Sequence, residues 1–115
     1  MRSRKILGLM AIVALASVPL YGGLAKAAPT TTIILGDNFF SPSAKTVSSG
    51  TKVRFKWTGN RRHRVTKAKG PGGDFASEKT KVDGVNLVKT FNASGTYRII
   101  CSVHPSEMRL KITVP

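Results

Sequence analysis

The sequence predicts an all-β domain, a β-sandwich or barrel, on the strength of three observations. Apolar and polar residues alternate in several short segments, as between Val53 and Trp57, which is typical of strands with one buried face. Turn-forming residues separate these segments, for example at Ser48–Gly50 and Gly70–Gly73. After residue 27 the apolar residues do not recur at helical spacing. Short strands divided by turns indicate a sandwich or barrel rather than a helical fold.

Six segments carry the strand pattern. They are Thr31–Leu35, Val53–Trp57, His63–Lys67, Val85–Phe91, Thr96–Cys101 and Arg109–Val114. The run Lys67–Lys81 is the least strand-like part, and we expect it to be a surface loop with Phe75 as its anchor into the core. No internal repeat is visible, so we expect one domain.

The first 27 residues have the layout of a secretory signal. Met1–Lys5 is basic, Ile6–Ala25 carries no charge, and Ala25, Lys26 and Ala27 supply a small-x-small cleavage pattern. We therefore predict a signal peptide over residues 1–27, a mature domain over residues 28–115, and export to the periplasm or the extracellular side. A retained N-terminal membrane anchor is the alternative, because 20 uncharged residues are long enough to span a bilayer.

The mature domain is strongly basic. Residues 28–115 hold 15 Lys and Arg against five Asp and Glu, a formal charge of +10. An exported domain seldom meets nucleic acid, so this charge favours an acidic protein as the partner. Adhesion to an anionic membrane or cell-wall polymer is the alternative. We expect a monomer.

One cysteine is unusual in an oxidising compartment, where a structural thiol normally has a partner. After residue 27 the residues that can act as soft or borderline metal ligands are His63, Cys101, His104 and Met108. Two imidazoles, one thiolate and a weak thioether form the ligand set of a blue-copper site. Each residue alone is more often core filler or a surface side chain; their joint occurrence predicts one copper ion, cycling between Cu(I) and Cu(II).

The spacing of three of these residues suits a single ion. We expect Cys101 to end one strand, Met108 to begin the next, and His104 to lie on the connecting loop. Pro105 restricts that loop, because it fixes its own φ and limits the conformations of His104 before it.

With these residues in place, the sequence resembles the cupredoxins of the plastocyanin, amicyanin and pseudoazurin type. The resemblance covers Asn38–Pro42, Val47–Val53, Trp57–Asn60 and Gly95–Cys101, together with the ligand residues. It implies a single-domain Greek-key β-sandwich and a copper site formed by His63, Cys101, His104 and Met108. It also implies that His104 lies near the surface, on the electron path, while His63 is enclosed.

Two positions depart from the pattern of the relatives. Arg64 stands where many carry an Asn that ties the ligand loops together, and Arg109 stands where Gly often follows the Met. Arg64 also belongs to the basic run Arg61–Arg64. By default such a run is a solvated turn, and its functional interpretation is a docking or tuning patch beside the metal.

The resulting hypothesis is an exported type 1 copper protein that carries single electrons and is not an enzyme, because no His or Cys remains to build a second metal centre. For such a carrier the basic charge predicts an acidic redox protein, such as a cytochrome or a membrane oxidase or reductase, as the partner. The alternative is a protein that stores copper or delivers it to an oxidase, although the Met-rich and His-rich tracts suited to delivery are absent. An adhesion domain that keeps the fold without the metal is disfavoured by the complete ligand set.

Overall fold

The computed structural model describes residues 28–115, which form eight strands. The strands are β1 (Thr30–Gly36), β2 (Phe39–Ser41), β3 (Ala44–Thr46), β4 (Thr51–Trp57), β5 (Val65–Lys69), β6 (Gly84–Phe91), β7 (Gly95–Cys101) and β8 (Arg109–Val114). Within this range no helix has the length and apolar character needed to cross a membrane. The predicted signal peptide and its alternative, a membrane anchor, lie outside the described residues.

The strands pair into two four-stranded sheets, in the orders β2-β1-β4-β6 and β3-β8-β7-β5. The pairs β1/β4 and β3/β8 are parallel and the other neighbours are antiparallel. The first sheet thus contains strands from both halves of the domain, and so does the second. The predicted all-β sandwich is confirmed.

Alternation along the strands forms the core between the sheets. In β4 every second residue from Thr51 to Trp57 is buried and the residues between are exposed, and in β7 Tyr97, Ile99 and Cys101 are buried. Phe91 contacts Tyr97 edge-to-face, with ring centroids 4.8 Å apart, a favourable geometry for aromatic pairs. Because the buried face of β7 ends at Cys101, this pattern sets the thiol at one end of the core.

The structure departs from the predicted elements in three places. Strands β2 and β3 were not predicted, because three residues are too few to show alternation. The segment predicted as His63–Lys67 begins and ends two residues later, and His63 instead forms an isolated bridge with Thr80. The predicted loop Lys67–Lys81 is wrong over its first three residues, which belong to β5. Its anchor is as expected, since half-buried Phe75 packs edge-on against Phe91 with centroids 6.1 Å apart.

Lys67 is a buried cation whose partners are backbone oxygens. Only 7% of the residue is exposed, and its Nζ donates to the carbonyl oxygens of Pro71, Gly72 and Gly73 at 2.8, 2.8 and 3.0 Å. An ammonium has three protons to donate, so all three are used. The side chain therefore holds the glycine-rich turn after β5 against the sandwich.

Replacing Lys67 by Met should destabilise the copper-free protein by about 2–3 kcal/mol, because three carbonyl oxygens lose a charged donor. Chemical denaturation measures the free energy of unfolding. The control is Lys56→Met, an exposed position on β4, which should change stability by no more than about 0.5 kcal/mol. Equal losses in the two variants would show that the carbonyl contacts of Lys67 do not stabilise the fold.

Candidate metal centre

His63 lies at the end of the sandwich, fully buried, between β4 and β5. Its backbone exchanges two hydrogen bonds with Thr80: His63 N–H donates to Thr80 O at 2.9 Å, and Thr80 N–H donates to His63 O at 3.1 Å. The indole Nε1 of Trp57 donates to the same Thr80 oxygen at 3.0 Å. Thr80 thus fixes the backbone of His63, and the core residue Trp57 in turn holds Thr80.

The segment between β7 and β8, residues 102–108, carries His104 and Met108 and directly follows Cys101, the last residue of β7; we call it the ligand loop. Cys101 N–H donates to Met108 O at 3.1 Å, which closes the loop. Inside it, His104 N–H donates to Cys101 O at 3.1 Å, and Met108 N–H donates to His104 O at 2.9 Å. The backbone therefore folds Cys101, His104 and Met108 into one tight turn, as the spacing predicted.

The ligand loop is joined to the strand that follows His63. Ser102 N–H donates to the backbone oxygen of Arg64 at 3.0 Å, and Val65 pairs with Cys101 in the β5/β7 ladder. The backbone carbonyl of Arg64 thus links the ligand loop to the segment that carries His63.

Three donor atoms converge at the centre of this arrangement. Cys101 Sγ lies 3.8 Å from His63 Nδ1 and 3.7 Å from His104 Nδ1, and the three donor atoms all lie within 4.8 Å of one another. An ion bound at about 2.0 Å from each nitrogen and about 2.3 Å from the sulfur, with angles near 120°, requires N···S separations of about 3.7 Å. The observed N···S separations therefore fit a metal ion bound by two nitrogens and one sulfur.

The four predicted ligand residues differ in exposure. His63, Cys101 and Met108 are fully buried, whereas His104 is half-buried. The two imidazole rings lie 5.4 Å apart between centroids, tilted by 58°. The enclosed His63 and the more accessible His104 follow the order that the resemblance to cupredoxins implied.

Asp37, which the sequence did not suggest, lies behind His63. Its Oδ1 is 3.5 Å from His63 Nε2, a separation that permits electrostatic attraction, although Nε2 makes no well-formed hydrogen bond. The carboxylate also accepts hydrogen bonds from the backbone N–H groups of Asn60 and Arg61, at 2.9 and 3.0 Å to the nearer oxygen. Asp37 thus connects the end of β1 to the turn that leads to His63.

The two side chains influence each other's protonation. Burial lowers the pKa of His63, and the attraction of Asp37 offsets only part of this effect. Partial burial of Asp37 acts to raise its pKa, but the backbone N–H groups of Arg61 and Asn60, together with His63, outweigh it and hold that pKa below its usual value. His63 is accordingly favoured as the neutral imidazole, the form that binds metals.

The arginines next to the ligands in sequence are all exposed, namely Arg61, Arg62, Arg64 and Arg109. Two of them are oriented by hydrogen bonds: Arg64 Nε donates to Ser77 O at 3.1 Å, and Arg109 Nε donates to Pro105 O at 3.2 Å. Arg109 therefore contacts the ligand loop directly, whereas Arg64 joins it through its backbone.

Solved structures with the same fold include copper proteins. A copper-containing nitrite reductase from Thermus scotoductus SA-01 matches 79% of this chain at 26% identity and a TM-score of 0.67, but this chain spans only 23% of that protein. A purple cupredoxin from Nitrosopumilus maritimus matches 73% of this chain and 98% of its own length, at 23% identity and a TM-score of 0.63. A reduced amicyanin variant matches 80% of this chain and 88% of its own length, at 21% identity and a TM-score of 0.66.

Comparison of the sequence with known proteins identifies a family but no individual relative. No curated protein sequence matches this chain significantly. The profile of the copper-binding proteins of the plastocyanin/azurin family matches residues 29–115, which include the eight strands described above and all the predicted ligands. The chain belongs to the plastocyanin/azurin family of copper-binding proteins, the cupredoxins, and its cofactor is copper.

Proposed function

We propose that the protein carries single electrons by means of one copper ion held by His63, Cys101, His104 and Met108. The observation that carries this proposal is the convergence of Cys101 Sγ and two imidazole Nδ1 atoms at 3.7 and 3.8 Å in a largely buried site. When bound, copper supplies one-electron redox chemistry between Cu(I) and Cu(II). Met108 would supply a fourth, weaker donor through its thioether, since it is fully buried and its backbone is hydrogen-bonded to both Cys101 and His104.

The surrounding chain supports this role by holding the donors in one arrangement. Cys101 and His63 are buried on rigid elements, β7 and the Thr80 bridge. A frame of this kind limits rearrangement when the charge at the site changes, and it excludes water from the thiolate. Both properties favour fast outer-sphere transfer over bond-making chemistry.

The proposed electron exit is the edge of His104. That residue is half-buried, and its neighbour Val103 is 40% exposed, so the ligand loop presents an apolar surface beside an imidazole. Exposed Arg64 and Arg109 adjoin the loop through the contacts described above. An acidic redox protein, such as a cytochrome or membrane oxidase, fits this combination of apolar centre and cationic surround.

The proposal includes a carrier role rather than catalysis. The sequence contains two histidines and one cysteine, and all three belong to the one cluster. No ligand of these types is left in the chain for a second metal centre. The proposed setting is the periplasm or the extracellular side, which rests on the signal-like sequence of residues 1–27.

Replacing Cys101 by Ser should abolish the intense visible absorption of the copper-loaded protein, because a hydroxyl cannot supply the thiolate-to-copper transition. Far-ultraviolet circular dichroism should still report a β fold. Ser102→Ala is the matched control, since its exposed side chain lies next to Cys101, and it should keep the band. A band that persists in Cys101→Ser would show that the ligand assignment is wrong.

Measurements on the wild-type protein can also distinguish an electron carrier from a protein that stores or delivers copper. An electron carrier should be coloured and should lose copper slowly to a chelator, because the donors are buried and fixed. Colourless binding with rapid loss would instead support the delivery role.

Replacing Met108 by Leu should keep the visible band and raise the reduction potential by tens of millivolts, because loss of the thioether leaves oxidised copper less stabilised. Leu is close to Met in volume, so the loss of stability should be below about 1.5 kcal/mol. Protein-film voltammetry gives the potential. An unchanged potential would exclude Met108 as a copper ligand.

Electron transfer to an acidic cytochrome should slow as salt is added, because screening weakens the attraction to the basic protein. Arg62→Glu should slow the reaction at low salt more than Lys52→Glu does. Lys52 is the control because it lies far from the metal centre. It is at the start of β4, whereas Trp57, at the end of β4, contacts Thr80, the residue that pairs with His63. Stopped-flow absorbance measures both rates, and equal rates would exclude the basic run as a docking device for that cytochrome.

Lys111 would be an unsuitable control for this experiment, because it lies close to Arg109 on the same strand, β8. Both side chains border the same groove on the outer face of the second sheet. A charge reversal at Lys111 therefore alters the same surface as Arg109.

A further inference from the structure

A groove of about 490 Å³ runs along the outer face of the second sheet. Four basic residues border it, Lys69, Arg98, Arg109 and Lys111, and all four are exposed. Between them lie Ala68 and half-buried Ile100. The groove thus combines an apolar floor with a cationic rim.

Strand pairing places these cations next to one another. Lys69 on β5 pairs with Arg98 on β7, and Arg98 pairs with Lys111 on β8. Three like charges therefore form a row across three adjacent strands. Arg109 is offset from this row by one side-chain repeat, opposite Ile100.

This arrangement is unfavourable for the fold alone. Like charges directly opposite on neighbouring strands destabilise a sheet. Among residues 28–115, no carboxylate forms an ion pair with any Lys or Arg side chain. The row accordingly has no internal counterion, and departures of this kind from local rules are concentrated at functional sites.

A β-bulge supplies one member of the row. The β5/β7 ladder shifts register between Lys67 and Lys69, so that Lys67 pairs with Ile99 and Lys69 pairs with Arg98. Regular alternation would put Lys69 on the same side as buried Lys67. The extra residue, Ala68, instead turns Lys69 outward, and bulges commonly re-aim a side chain in this way.

The groove continues to the ligand loop but does not include the donor atoms. Pro105 of the loop lines one end, where its carbonyl accepts a hydrogen bond from Arg109. Cys101 and His63 are buried on the inner side of the same sheet end. A ligand in the groove would therefore touch the protein without contacting the metal site.

We propose that this groove is a docking site for an acidic protein segment that alternates carboxylate and aliphatic side chains. In an extended segment such side chains face opposite ways. Aliphatic groups can then contact Ile100 and Ala68 while carboxylates meet the four cations. A phosphate polymer would match the rim but leave the apolar floor unused, so the chemistry of the whole groove favours a peptide.

The test uses the copper-loaded protein and a short fluorescein-labelled peptide of alternating glutamate and leucine, followed by fluorescence anisotropy. The double variant Arg98→Glu/Lys111→Glu should weaken binding at least about tenfold, because it replaces two attractions by two repulsions. The matched control is Lys52→Glu/Arg54→Glu, with the same net charge and exposed positions on one strand of the other sheet; it should weaken binding less than about threefold. Amide shifts of Ala68 and Ile100 on peptide addition should locate the site by NMR.

Two further probes test whether the groove prefers an alternating acidic peptide to a purely anionic peptide or to an anionic membrane. A polyglutamate peptide of equal charge should bind more weakly than the alternating peptide, because it lacks the aliphatic contacts. Equal binding of the two peptides, equal effects of the two double variants, or no binding at all would overturn the proposal. Groove-dependent binding of anionic phospholipid vesicles without groove-dependent peptide binding would also overturn it and assign the surface to a membrane. The peptide measurement is repeated on copper-free protein, so its result does not depend on the proposed electron-carrier role.

Discussion

The hydrogen bond from Cys101 N–H to Met108 O is the constraint on which the rest of the metal centre depends. It joins the last residue of β7 to the residue before β8, and so makes the ligand loop an extension of the antiparallel ladder. The bonds to the His104 carbonyl then fix the loop's interior. Because the loop inherits the rigidity of two core strands, three predicted ligands have little freedom before any ion arrives. This is preorganisation by backbone rather than by side-chain packing alone.

The fourth predicted ligand, His63, is positioned by a different set of contacts. Thr80 fixes its backbone, and Asp37 lies behind its ring while holding the preceding turn. Gly59 permits this approach, since a side chain there would collide with the Asp37 carboxylate. A carboxylate behind a metal-binding histidine orients the ring and raises its basicity. Burial opposes protonation of the same ring, so the two effects together favour a neutral, oriented donor.

Local patterns made much of this predictable. Alternation has a period of two residues, so a strand such as β4 is visible in the sequence, whereas the three-residue strands β2 and β3 are not. Cys101, His104 and Met108 lie within eight residues, and their shared turn followed from spacing alone. Asp37 could not be found in this way, because its contact with His63 depends on how two loops meet in space. The burial of Lys67 and the cationic row depend on a bulge and on cross-strand register, neither of which the sequence displays.

The central claim is that the polypeptide holds the copper donors in place before the metal binds. Crystal structures of the copper-free and copper-loaded protein test it most directly. The account predicts that His63 Nδ1, Cys101 Sγ and His104 Nδ1 keep their positions within about 0.5 Å. Rotation of either imidazole away from the sulfur in the copper-free crystal, or coordination of copper by other side chains in the loaded one, would contradict it.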